Sequence, residues 1–274
     1  VTSGSTGPGK ATAISHANLL DNVLAIGAST ETLPTDTACS WLPLYHDMGL
    51  VGGVMWAFVG LRGLVSMRPF DFLMEPSLWL RAISDHRCTM SPAPNFGYGY
   101  AARSARDHKL EGVDLSSWRV AYCGAEPVRV GTLTDFGRRF GPLGFRPEAM
   151  LPCYGLAEAT LAVTFPPHDA RPTFRVLDRR SLGLGKPVRL TGRGEVLADG
   201  EVQRAEDEVL PVDQRVEVFS LGRPLGDLEL TLHDADGEAI TQDGVCGEVI
   251  VRGTAVALGY VTGPGQVEPF GDAF

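Results

Sequence analysis

Apolar positions along the chain follow two different periods. In SHANLLDNVLAIGA, residues 15–28, Leu19, Leu20, Val23, Leu24 and Ile26 recur at helical spacing behind Ser15, a hydroxyl suited to an N-cap. ACSWL at 38–42 reads as a buried strand. DMGLVGGVMWAFV at 47–59 predicts an apolar helix, and GLVSM at 63–67 a short strand. The segment 75–86 predicts a helix with Pro76 in its first turn. CTMSP at 88–92 and WRVAYCG at 118–124 predict strands, and 95–108 and 128–140 predict helices. Strand and helix alternate at intervals of roughly 20–30 residues. That pattern predicts an α/β fold with a mostly parallel sheet covered by helices. In such sheets ligands bind at the carboxyl ends of the strands.

The period changes after about residue 165. VEVFSLGRPL, LELTLHDADGEAI and CGEVIVRGTAVALGY alternate polar and apolar residues, with Asp236-Gly237 and Asp243-Gly244 as turn signals. The expected organisation is an α/β part over residues 1–165 and a β-rich subdomain, a distorted barrel or sandwich, over 166–274. The polar run 193–214 reads as a surface excursion.

Composition narrows the function classes. With 274 residues, 44% hydrophobic and 21% charged, the chain can bury a large core. A net charge of −9 argues against a general nucleic-acid or anionic-membrane surface. The acidity is concentrated: residues 194–248 hold fifteen Asp/Glu against three Lys/Arg, which reads as a solvated face or a polar β module. Cys39, Cys88, Cys123, Cys153 and Cys246 form no CxxC pair, so they read as small buried side chains in a reducing cytoplasm. No apolar run approaches the ~18 residues of a membrane span.

The stretch TSGSTGPGK, residues 2–10, sits ahead of the first helix. Its small residues present backbone N–H groups, its hydroxyls add donors, and Lys10 adds an ammonium. Such a loop can wrap a polyphosphate; by composition alone it is also a flexible linker. It is not a Walker loop, because Ala11 stands where the magnesium-holding Ser or Thr would follow Lys10.

The loop is followed, in order, by SWLPLYHDMGLVGG at 40–53, YCGAEP at 122–127 and CYGLAEATLAVTF at 153–165. This set resembles the adenylate-forming superfamily, which includes acyl-CoA ligases and peptide-synthetase adenylation domains. The resemblance runs from Thr2 to about Tyr260. It implies part of the large N-terminal domain of such an enzyme, without the small C-terminal domain. Thr2, Ser3, Gly4, Ser5, Thr6, Gly7 and Lys10 would bind the phosphates of ATP. The usual Pro-Lys-Gly is here Gly9-Lys10-Ala11.

The resemblance assigns the other motifs in turn. His46 would stand where the acyl and nucleotide sites meet, positioning the carboxylate by electrostatics, since an ionised acid needs no base. Gly124, Ala125, Glu126, Tyr154 and Gly155 would line the adenine pocket. Glu158 would hold Mg²⁺; Ala157 precedes it where the superfamily often has Thr. His46, Lys10 and Glu158 are the catalytic candidates. Asn95, Phe96 and Gly97, at a strand end, are expected to join His46 in the acyl pocket.

YHDMGL with YGLAEATL looks most like the fatty acyl-AMP ligases. FRVLDRRSLGLGKPVRL at 174–190 fits the insertion associated in that branch with blocking the domain rotation that CoA acceptance needs. The implied reaction converts a fatty acid and ATP to acyl-adenylate and pyrophosphate. The implied acceptor is an acyl carrier protein or a downstream polyketide or peptide synthase. An acyl-CoA ligase and a non-catalytic acyl- or nucleotide-binding module are the alternatives. Arg129, Arg138, Arg139 and Arg146 are candidates for docking an acidic carrier, against a plain solvated helix face.

Overall fold

Five parallel strands carry the first half of the chain in the order Gly63–Ser66, Thr37–Ser40, Met90–Pro94, Val120–Gly124, Met150–Pro152. The structure, a computed structural model, describes residues 9–197, 200–271 and 274. Val120–Gly124 is buried at every position because helices cover both faces of the sheet, and its sequence VAYCG is accordingly apolar throughout. All five strands point the same way, so residues 41–46, 95, 125 and 153 leave the sheet at one end. The fifth strand, Met150–Pro152, is absent from the expected set; three residues are too few to show a period.

The first helix runs His16–Ser29. Ser15 caps it: its hydroxyl accepts from Asn18 N–H at 3.1 Å, and Asn18 Oδ1 accepts from Ser15 N–H at 2.8 Å. The expected apolar stripe is only half right. Val23 and Ile26 are buried, but Leu20 and Leu24 are exposed. Two asparagines share the inward face. Asn22 Nδ2 donates to Ala162 O (2.7 Å) and its Oδ1 accepts from Ala162 N–H (3.0 Å). Asn18 Nδ2 donates to Thr254 O and Val256 O. Buried amides are tolerated where every polar atom is partnered, and these fasten the helix to the β-rich half.

The predicted helix 47–59 is one continuous coil of three kinds: α over Asp47–Gly49, π over Leu50–Met55, α again over Trp56–Val59. The predicted helix 75–86 is Ser77–Asp85; a separate short helix outside the expected set, Pro69–Met74, stops at Glu75 because Pro76 disfavours helical geometry in the residue before it. The helix expected over 95–108 ends at Ser104, and that expected over 128–140 spans Val130–Phe140.

Between these helices and the sheet lies an aromatic core. Trp79 sits edge-on to Trp118 (5.1 Å), Tyr98 (5.4 Å) and Phe72 (5.6 Å). Its indole N–H donates to Ser91 Oγ at 2.9 Å, and Ser91 in turn donates to Cys39 O at 2.6 Å, so the Trp79 indole N–H is paired through the sheet.

The β-rich half resolves into small antiparallel sheets. Val202–Glu206, Leu190–Val196, Thr173–Asp178 and Arg215–Phe219 lie side by side in that order. Glu229–His233 lies between Ala239–Ile240 and Glu248–Arg252. Two sheets join the halves. Ala162–Phe165 pairs with Arg223–Pro224, and Thr12–Ala13 pairs with Gly259–Gly263. Strand pairing thus crosses residue 165 in both directions. The candidate insertion is anchored: Gly185 N–H donates to Cys246 O, Cys246 N–H to Lys186 O, and Val188 N–H to Gly244 O. No helix among the described residues is long and apolar enough to cross a membrane.

Candidate active site

A cavity of about 960 Å³ opens at the carboxyl ends of the parallel strands. Lys10, His46, Gly124, Ala125, Tyr154, Gly155 and Glu158 all line it, although they come from four separate stretches of sequence.

One wall is backbone. Gly124 ends its strand, and a Cβ there would stand 2.9 Å from Cys153 O and 3.0 Å from Cys153 Sγ, so only glycine lets the neighbouring segment approach. Ala125 follows with φ +63°, turning the chain away from the sheet. Gly155 is demanded more strictly, since a Cβ would fall 1.9 Å from Leu161 O.

Glu158 lies in the single turn Ala157–Ala159 and is 9% exposed. The turn is closed by Thr160, at φ +67° and ψ −58°, which brings Leu161 N–H to Ala159 O at 2.8 Å. That is the rare positive-φ γ-turn, costly for a residue with a branched Cβ. Thr160 is held there by its hydroxyl, which donates to Ala255 O at 2.7 Å. Glu158 O accepts from Ala257 N–H at 2.7 Å, and Glu158 Oε1 accepts from the Tyr260 hydroxyl at 2.7 Å. Burial, then the bond to Glu158, push the Tyr260 phenol up to about 12. Burial, then the Glu158 charge, also raise Tyr154. Lys10 Nζ sits 4.3 Å from the centre of the Tyr260 ring.

His46 precedes the helix at Asp47. Asp47 Oδ1 accepts from Met48 N–H at 2.7 Å and stands 2.7 Å from His46 Nδ1. A contact that short requires the ring proton on Nδ1, pointed at the carboxylate, so the longer approach of Met48 N–H to Nδ1 (3.2 Å) is not a second hydrogen bond. The Asp47 hydrogen bond raises the His46 pKa, against an opposing contribution from burial. The apolar part of the lining comprises Ile26, Met48, Leu161 and Phe165, with Gly52 and Tyr122.

The structure separates other expected residues from this site. Glu126 Oε1 accepts from Phe96 N–H at 2.6 Å, and Asn95 Oδ1 accepts from Arg129 N–H at 3.0 Å. These two side chains tie together the starts of the helices Asn95–Ser104 and Val130–Phe140, and neither lines the cavity. Phe96 is 47% exposed and packs edge-on to Trp41, while Gly97 is where that indole lies: a Cβ would be 2.7 Å from Trp41 Cζ2. Asn95, Phe96, Gly97 and Glu126 thus join and pack these elements, and none of them is among the residues that line the cavity. Thr2, Ser3, Gly4, Ser5, Thr6 and Gly7 lie outside the described residues.

The arginine set divides similarly. Arg139 donates to the carbonyls of Ala102 and Ala105 and to Asp107 Oδ1 (2.7 Å), closing the end of the helix Asn95–Ser104. Arg138 pairs with Glu201 and Asp135, and Arg146 with Asp169. Only Arg129 keeps the exposure a docking residue needs without an ion pair among the described residues. Tyr260 is the site residue that sequence reasoning missed. It sits in an ordinary polar–apolar alternation, and nothing local marks it.

The profile of the family described as "AMP-binding enzyme" matches residues 1–261. The chain is 34% identical over 264 residues to the medium-chain-fatty-acid–[acyl-carrier-protein] ligase TtuA of Teredinibacter turnerae, covering 96% of this chain and 38% of that protein. It is 34% identical over 276 residues to the long-chain-fatty-acid–AMP ligase FadD26 of Mycobacterium bovis, covering 99% of this chain and 44% of that protein. Among solved structures, the fatty acyl-adenylate ligase from L. pneumophila, in complex with acyl adenylate and pyrophosphate, superposes with a TM-score of 0.83 at 37% identity. That match covers 97% of this chain and 43% of the other. The chain thus spans about two fifths of the length of these relatives.

Proposed function

The chain belongs to the AMP-binding enzyme family, and from that premise we propose that it supplies the nucleotide- and acyl-binding cleft of a fatty acyl-AMP ligase. The observation that carries the reading is the convergence of Lys10, His46, Tyr154 and Glu158 on one cavity whose lining combines these polar groups with apolar side chains. A fatty acid likewise joins a polar head to an apolar tail.

In the proposed reaction a fatty-acid carboxylate oxygen attacks the α-phosphorus of ATP. The P–O bond to the β-phosphate breaks, and pyrophosphate leaves with the bonding electrons. Two anions must meet, so the chief demand on the protein is positive charge and N–H donors, not a base. Lys10 faces the phosphates. His46, held by Asp47 through Nδ1 and raised in pKa by that bond, adds positive charge where the carboxylate arrives when Nε2 is also protonated. Gly124, Ala125, Tyr154 and Gly155 form a flat wall for adenine, and Ile26, Met48, Gly52, Leu161 and Phe165 take the acyl chain in place of Asn95, Phe96 and Gly97.

The donor set fits Mg²⁺. Glu158 is a nearly buried carboxylate at the cleft, and among the described residues no three His, Cys, Asp or Glu side chains form a cage. Magnesium held by one carboxylate together with substrate phosphates is its usual mode. When bound, it would neutralise phosphate charge.

The acceptor proposed is an acyl carrier protein in the cytoplasm. The curated relative from Teredinibacter is named for that acceptor, and the backbone bonds at Gly185, Lys186 and Val188, within the segment 174–190, agree with an insertion that stays fixed. The natural gene product carrying this chain should be incubated with ATP, Mg²⁺, CoA and fatty acids of graded length, and the products read by mass spectrometry. Acyl-AMP that persists beside CoA and moves to a carrier protein is the expected result. Rapid acyl-CoA would assign the enzyme to the CoA ligases, and no adenylate from any fatty acid would refute the acyl reading.

A further inference from the structure

Two opposite charges face the same cleft, Lys10 and Glu158, and one side chain touches both. The Tyr260 hydroxyl donates to Glu158 Oε1 at 2.7 Å, and Lys10 Nζ lies over the face of the same ring, 4.3 Å from its centre. We infer that Tyr260 is a positioning residue that keeps the carboxylate and the ammonium on different sides of one ring, each oriented toward a metal–nucleotide ligand. The inference rests on the nucleotide part of the proposed function and not on the identity of the acid or the acceptor.

The backbone around Tyr260 is built to hold it. Tyr260 is paired with Thr12 in an antiparallel ladder, and Val261 N–H donates to Ala11 O at 2.8 Å. Lys10 is the next residue out from that ladder, so its backbone is fixed relative to the ring. Glu158 is fixed to the same segment from the other side, through Ala257 N–H on its carbonyl. Phe270 meets the ring edge-on at 4.7 Å and 85°, which sets the ring plane.

The chemistry explains why a tyrosine would stand here. An ammonium and a carboxylate left to each other in a cleft close into an ion pair, and a ligand must then separate them. A phenol satisfies one carboxylate oxygen while leaving the negative charge intact. A π face attracts the ammonium and leaves its positive charge intact. The phenol occupies one Glu158 oxygen only, and the ring face neutralises neither charge.

A tyrosine that merely packed would give a different result on substitution. The test uses the natural gene product as wild type, Tyr260→Phe and Tyr260→Leu, with melting curves to verify folding. Binding of ATP is measured by calorimetry with Mg²⁺ and again with the metal removed by EDTA. Tyr260→Phe keeps the ring and loses only the bond to Glu158, a hydrogen bond to a charged group, so Mg·ATP should bind about tenfold more weakly. Metal-free ATP should bind it as it binds wild type. Tyr260→Leu, or Tyr260→Met should the leucine variant not fold, should weaken both. Tyr260→Phe that binds Mg·ATP as tightly as wild type, or more tightly, overturns the inference; so does an equal loss with and without metal. Wild-type protein that binds Mg·ATP but activates no fatty acid would refute the acyl reading while these titrations still decide Tyr260. Wild-type protein that binds no nucleotide overturns both.

Discussion

Gly52 and Leu161 both line the cavity, and a Cβ placed on Gly52 would stand 3.1 Å from Leu161 Cδ2. The position is tight enough that any larger side chain must fill cavity space. Gly52→Leu should therefore shorten the longest acid accepted. Measured as ATP–pyrophosphate exchange across a length series, kcat/KM should fall at least about tenfold for the longest wild-type substrate, the cost of losing one or two buried methylenes. The shortest acids should be unaffected. Unchanged use of long acids would place the acyl chain elsewhere.

Thr160 holds a strained turn with one hydrogen bond. Thr160→Ala removes the hydroxyl that binds Ala255 O but leaves the positive φ unrelieved, so it should destabilise the protein by about 1–2 kcal/mol in urea unfolding. Thr160→Gly loses the same bond yet relaxes a conformation costing about 1–3 kcal/mol, and should be closer to wild type. A glycine variant less stable than the alanine one would contradict the strain.

The His46–Asp47 contact makes a pH prediction. Asp47 raises the folded-state pKa of His46 above its ordinary 6.5. The stabilisation is therefore complete below about pH 6.5 and is lost as pH rises through the raised value. Asp47→Asn should lower the His46 titration midpoint seen by NMR. It should also cost stability at acidic pH, with the difference from wild type vanishing on the alkaline side. A midpoint that does not move would show that Asp47 is not the cause.

Glu126 and Arg139 should behave as structural residues. Glu126→Ala frees one N–H at an exposed helix start and should cost about 1 kcal/mol, with Mg·ATP affinity unchanged. Arg139→Ala strips the end of the helix Asn95–Ser104 of three acceptor contacts, and lower thermal stability should accompany any loss of carrier transfer. Arg129→Ala is the informative docking variant, because Arg129 is exposed and has no ion pair among the described residues; slower transfer at unchanged stability would support a carrier contact.

Much of the fold was legible because local chemistry sufficed. VAYCG announces a doubly covered strand, and Ser15 announces the helix it caps. Legibility fails where the cause is distant or too short to have a period. Leu20 and Leu24 look like core until Asn18 and Asn22 find backbone partners in the other half of the chain. Asn95 and Glu126 look like site residues because they follow strands, yet each serves the other's helix. Lys10, His46 and Glu158 could be picked out by motif. Tyr260 could not, because its meaning comes from Glu158, 102 residues earlier.

The ladder between Thr12–Ala13 and Gly259–Gly263 has a consequence for the order of folding. The parallel sheet can form from neighbouring segments, but the Lys10 side of the cleft requires one of the longest loop closures in the chain. Such pairings carry a large entropy cost and come late. A partly folded chain would then own a core and no nucleotide site. A ligand that recognises only the finished cleft would draw the molecule toward completion by mass action.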